Sequence, residues 1–208
     1  MYSVTSFLQI TILGLLSFSA IARSESSREV ELYQLCQRCH GTNGEGRLDV
    51  KAPAIAGMAE WYVVAQLEKF RAGLRGYHPS DDGGMRMRPM ALVIRDTKDL
   101  QAIAKYVSSL PSTNSKPTVI GNPIAGQRKF QQVCSSCHGK QAEGNLAQKA
   151  PSLSSQDDWY LLQQLINFQS GARGSQPAKD PVGATMAAMV QTLSQDEMKN
   201  IVAYIKGL

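Results

Sequence analysis

The chain is short of several residue types, and each shortage narrows its chemistry. There are four cysteines and three histidines in 208 residues. All four cysteines fall in two short motifs, so none is left for a disulfide framework or a separate thiol site. Two histidines belong to the same motifs, and the third, His78, has no counterpart elsewhere. No Lys or Arg run marks a nucleic-acid-binding tail, although the net charge is +5 and the pI about 9.1. A mildly basic surface instead favours encounter with acidic partners. No stretch alternates apolar and polar residues as a half-buried strand does. A hydrophobic share of 43% with 19% charged residues excludes a disordered chain.

Only the N-terminus carries a long apolar run. Residues 7–22 read FLQITILGLLSFSAIA, without charge, and end in Ala20-Ile21-Ala22, an A-x-A cleavage pattern. The first six residues lack the usual Lys or Arg. A run of about 16 residues is short of the roughly 20 that span a bilayer. The expectation is an export leader over residues 1–22, cut after Ala22. A retained anchor is the alternative, and a peripheral membrane association stays open.

What is present is C-x-x-C-H, twice: Cys36-Gln37-Arg38-Cys39-His40 and Cys134-Ser135-Ser136-Cys137-His138. This is the attachment signature of c-type haem. Two thiols at this spacing can each add to one vinyl group of the same porphyrin, and the histidine that follows offers an imidazole nitrogen to the iron. Two C-x-x-C pairs would also suffice for one four-thiolate zinc site, and one pair for a thioredoxin-like redox couple. Neither requires a histidine directly after the second cysteine both times. Two haem c groups are therefore expected, covalently held by Cys36, Cys39, Cys134 and Cys137. Export fits this, because the motif is normally loaded outside the reducing cytosol.

The motif is part of a longer repeat. At a shift of 98, 18 of the 41 positions from Cys36 to Gly76 are identical, where chance gives roughly two or three. The matches include Lys51-Ala52-Pro53 with Lys149-Ala150-Pro151, Trp61-Tyr62 with Trp159-Tyr160, Gln66-Leu67 with Gln164-Leu165, and Arg75-Gly76 with Arg173-Gly174. The polar, Pro-bounded segment 111–117 reads as a linker. The expected organisation is a leader over 1–22, a first domain over 23–113 and a second over 114–208.

Three helices are expected in each half. The first runs into the motif, over 29–36 and 124–134. The second starts near Trp61 and Trp159 and stops at Gly73 and Gly171. The last carries Leu100, Ile103, Ala104 and Val107, matched by Met198, Ile201, Val202 and Ile205, at i, i+3, i+4, i+7. Ser194 and Glu197 form a capping box ahead of it. Halves of about 90 residues offer little core of their own, so a haem in the middle is expected to complete each.

A six-coordinate iron needs a second axial donor. Between the Gly-rich segment and the last helix lie Met85, Met87 and Met90 in the first half and Met186 and Met189 in the second, in what reads as a loop. Met87 stands seven before Ile94 and Met186 seven before Leu193, so these two correspond and are the chosen ligands. Met90 and Met189 are the second choice and Met85 the third. Core filling is the plain alternative for any of them. His78, beside Pro79, reads as a solvated side chain. Histidine-methionine ligation stabilises ferrous iron and fills both axial positions, leaving nowhere for peroxide or oxygen to bind.

With these motifs in hand the chain resembles the dihaem cytochrome c4 family, over nearly all of its mature length. The resemblance rests on the doubled C-x-x-C-H-G, the K-A-P and W-Y-x-x-x-Q-L segments, the Met segment and the final Y-x-x-x-L. It implies an all-α fold of two tandem class I cytochrome c domains packed face to face, each wrapped round one haem. It implies His40 and His138 as proximal ligands, Met87 and Met186 as distal ones, and Pro53 and Pro151 as the prolines whose carbonyls accept from the proximal imidazoles. The implied role is periplasmic electron carriage toward a terminal oxidase, often of the cbb3 type, from a quinol-oxidising complex or a dehydrogenase, with no catalysis by the chain itself. The alternative is a cytochrome electron-acceptor subunit of a flavin- or molybdenum-dependent dehydrogenase complex. The chain departs from the family at Arg95-Asp96-Thr97, where an L-S-x-x-[DE] helix entry is expected. Arg75 and Arg173 read equally as haem-propionate or partner contacts and as helix packing or C-caps, while for the Trp-Tyr pairs packing is the first reading and a propionate or partner contact the second.

Overall fold

The computed structural model describes residues 17–208; the leader expected over 1–22 falls largely outside the described residues. The chain is helical, without strands among those residues. In order the helices are α1 (Ser17–His40), α2 (Glu60–Arg71), α3 (Asp82–Val93), α4 (Thr97–Ser109), α5 (Pro123–Val133), α6 (Ser135–His138), α7 (Asp158–Gln169), α8 (Pro181–Val190) and α9 (Gln195–Lys206). None of the described helices is long and apolar enough to cross a membrane.

Helices α1–α4 form one half and α5–α9 the other, each around its own core. The first core centres on Tyr33, Leu67, Phe70, Leu100, Ile103 and Val107, the second on Phe130, Leu161, Phe168, Met198, Ile201 and Ile205. The apolar stripes of α4 and α9 are fully buried, as their spacing requires. Each buried Leu, Ile, Val or Met of these stripes contributes roughly 1.5–3 kcal/mol by leaving water. Ser194 and Glu197 make the expected reciprocal cap on α9. At the unusual entry to α4, Asp96 caps from one side only, accepting from Lys98 N–H. In the second half α5 crosses α9 so closely that a Cβ on Gly126 would strike the Asn200 backbone.

Two expectations are corrected. The first helix is longer than 29–36, with α1 running through Cys36 and Cys39 to His40, while its counterpart breaks at Cys134 into α5 and α6. The methionine segments are helices, α3 and α8, and not loops. Asp81 and Asp180 cap them, accepting from Gly84 and Gly183 N–H at 3.1 and 2.8 Å. The glycines that suggested a loop are there for that cap, since a Cβ on either would collide with the capping carboxylate.

The halves meet along α2, α7 and the turns after them. Asp81 of the first half accepts from Asn167 of the second at 3.0 Å, and Lys69 pairs with Asp180 at 2.8 Å. Asp158 pins the linker by accepting from the N–H groups of Thr118 and Val119 and from the Thr118 hydroxyl.

Candidate functional site

The site in each half begins where the motif helix ends. His40 and His138 are both buried. Nδ1 of His40 lies 2.7 Å from the Pro53 carbonyl oxygen, and Nδ1 of His138 lies 2.9 Å from that of Pro151. A carbonyl only accepts, so Nδ1 carries the proton and Nε2 keeps the free lone pair. Burial lowers the pKa of both imidazoles against the opposing carbonyl bonds, which keeps them neutral and fit to donate to a metal. Burial likewise pushes the Cys36 and Cys134 thiols up to about 11. Cys39 is exposed, and all four sulfurs are free of disulfide bonds.

In the first half these groups face a cavity of about 630 Å³. Cys36, Cys39, His40 and Pro53 line one part of it, Met87 and Met90 another, and Leu67, Phe70, Ile94, Ile103 and Val107 supply apolar surface. Such a size and lining suit a large, mostly apolar cofactor with few polar anchors. The donor set, two thiols, one neutral imidazole and a thioether, is that of haem c. Among the methionines, Met87 packs against the first core and Met186 against the second. Met85 and Met189 are 47% and 41% exposed. His78 is half-buried, and its Nδ1 accepts from Ser80 N–H at 3.2 Å.

The second half closes the first cavity, contributing Trp159, Tyr160, Gln163 and Gln164 to its wall. Here Arg75 and Arg173 are both buried between the halves, and Arg75 also lines the first cavity. Arg75 donates to Gln66 at 2.9 Å and to Gln164 at 3.3 Å, and Arg173 donates to Gln164 at 2.6 Å and to Gln66 at 3.2 Å. Each guanidinium also lies over its own phenylalanine, Phe70 or Phe168, at 4.3 and 4.2 Å. Arg75 reaches the Tyr160 hydroxyl as well, at 3.2 Å. Burial, together with the like charge of Arg75, lowers the pKa of Arg173. The Trp-Tyr pairs pack edge to face within each half, and Lys149 stands over the Trp61 ring of the other half at 5.7 Å. The joint recurrence of Gln and Arg in the repeat was the signal for this cluster.

Comparison with known proteins agrees with this arrangement. The family model for cytochrome c matches twice, over residues 30–111 and 124–208. Cytochrome c4 of Azotobacter vinelandii is 28% identical over 218 aligned positions, covering 99% of this chain and 97% of that protein. The thiosulfate dehydrogenase electron acceptor of Thiomonas intermedia is 30% identical over 152 positions, covering 68% of this chain and 66% of that one. The solved structure of Acidithiobacillus ferrooxidans cytochrome c4 superposes with a TM-score of 0.69 at 27% identity, covering 84% of this chain and 99% of that one. The chain thus belongs to the cytochrome c family, as a tandem two-domain member similar to the cytochromes c4, with two covalently bound haem c groups.

Proposed function

We propose that this chain is a periplasmic electron carrier and not an enzyme, passing single electrons toward a terminal oxidase. Each haem, when bound, supplies a one-electron iron couple. The residues of the chain hold and orient it. In this reading Cys36 and Cys39 tether the first haem and Cys134 and Cys137 the second. His40 and His138 are the proximal ligands, Met87 and Met186 the distal ones, and the carbonyls of Pro53 and Pro151 fix the imidazoles. The domains run over 23–113 and 114–208, after a leader over 1–22.

The observation that carries the reading is the repetition of one donor set. Each half pairs a buried, carbonyl-bonded histidine with a methionine packed against its core. A haem iron held by both of these donors would suit electron transfer and would have no open position for bond chemistry. A basic chain suits acidic redox partners.

A redox titration of the exported protein, with the ferric thioether band followed in Met87→Ala and Met186→Ala, tests it. Loss of one band per variant is expected. A high-spin, five-coordinate iron in the unmodified protein overturns the reading. Purification from the native membrane and periplasm separates a diffusing carrier from a dehydrogenase subunit, since the latter comes away with its catalytic chain.

A further inference from the structure

Pro53 and Ala54 share one peptide group, and both ends of it are engaged. Its carbonyl oxygen accepts from His40 Nδ1 at 2.7 Å. Its N–H donates to the carboxylate of Asp157 at 2.7 Å, in a buried bond that spans 103 residues of sequence and joins the two halves. Gln156 grips the same residue from its other end, with Nε2 donating to the Ala54 carbonyl at 3.2 Å. Asp157 is only 4% exposed, and among the described residues it makes no ion pair. It stands at the N-cap of α7 without bonding that helix's own N–H groups, and among the described residues its carboxylate accepts from the Ala54 N–H alone.

Hydrogen bonds in series polarise one another, more so away from water. A carboxylate drawing on the N–H makes the carbonyl oxygen of the same amide more negative. That oxygen then takes more of the imidazole proton, and the ring becomes a more basic ligand. Both this basicity and the buried negative charge favour ferric over ferrous iron.

The second half lacks the device. Its histidine bonds to Pro151 at the longer distance of 2.9 Å. The N–H of that peptide belongs to Ser152, and among the described residues no side chain accepts from it. At the repeat shift of 98, the residues matching Gln156 and Asp157 are Met58 and Ala59, neither of which offers a carboxylate.

We propose that Asp157 is a positioning residue for the proximal ligand of the other half: through peptide 53–54 it holds the first haem at a lower potential than the second. This rests on the electron-carrier reading. Its consequence is a direction, because an electron entering the molecule settles in the second half.

The test is a spectroelectrochemical titration of the haem-loaded protein, resolved into two one-electron waves. Asp157→Asn keeps an oxygen acceptor for Ala54 N–H and removes the charge. It is expected to shift the lower wave roughly tenfold toward the ferrous state, about 59 mV for one electron, and to leave the upper wave in place. Gln156→Ala loosens the same grip but keeps the carboxylate, and neither wave should move. The inference is overturned if Asp157→Asn leaves both waves unmoved or moves them alike. It is equally overturned if Gln156→Ala raises the lower wave as much, for the effect would then belong to the docking of the halves. Absence of two haem waves from the unmodified protein would instead remove the carrier reading itself.

Discussion

Arg75 and Arg173 lie in different halves and bind the same two oxygens, the side-chain carbonyls of Gln66 and Gln164. Four hydrogen bonds thus make a closed ring across the joint. Two buried like charges repel, and the ring, the aromatic faces and the Tyr160 hydroxyl offset that repulsion. Removing one shared oxygen leaves a donor unpaired on both guanidinium groups, not on one.

Gln66→Ala should therefore cost more than an ordinary hydrogen-bond deletion. A loss of about 2 kcal/mol is expected, or roughly 4–8 °C of melting temperature in a chain of this size. Thermal melts of the haem-loaded protein give the loss, and small-angle scattering shows whether the halves have also parted. A melt identical to the parent protein would mean that the ring adds nothing to docking.

The methionine choice gives a second expectation. Met186→Ala should abolish the thioether band of one haem and lower that haem's potential, because a thioether favours the ferrous state. Met189→Ala, at a position 41% exposed, should leave both spectrum and potential unchanged. The reverse pattern would make Met189 the ligand.

Acid should release the linker. Burial raises the pKa of Asp158, but the opposing bonds from Val119 and Thr118 outweigh it, and the net shift is downward. A depressed carboxylate stabilises the fold fully above its unfolded value, near 3.9, and loses that contribution as the pH falls through the lower folded value. The stability gap between the parent protein and Asp158→Asn should thus be widest near neutral pH and close in acid. Melting curves from pH 7 down to about 2.5 measure it, and a gap independent of pH would show that the carboxylate charge has no part in the clamp.

Haem-free protein should not keep this fold. The first half encloses a cavity of about 630 Å³, and an unfilled apolar cavity of that size forfeits the contacts of every side chain around it. Cys→Ser replacement at Cys36, Cys39, Cys134 and Cys137 should yield a compact, dye-binding state without dispersed spectra. Sharp, native-like spectra from that variant would contradict the expectation.

The sequence revealed these elements unevenly, for physical reasons. The α4 and α9 stripes were legible because four apolar residues at helical spacing have one face to bury. The Ser194 cap was legible because its bonds are local. The helical character of the methionine segments was not, since Gly83-Gly84 and Pro89 are helix breakers by propensity, and the cap from Asp81 that outweighs them is a matter of geometry. The haem donors could be read residue by residue because covalent attachment fixes their spacing. The interface could not, because the reach of Arg75 to Gln164 or of Asp157 to Ala54 depends on how two domains dock. The repeat held the clue: Gln and Arg recur together, whereas Asp157 recurs as alanine.

The arginine ring is self-matching, since what one half gives to the other it also receives. A joint of that kind is isologous, the geometry of a two-fold homodimer. Either half carries both the donor and the acceptor of the contact. A single haem-loaded half would hold both sides of the arginine ring but only one side of the Asp157–Ala54 contact, so a joint between two copies of one half would keep the ring and lose that contact.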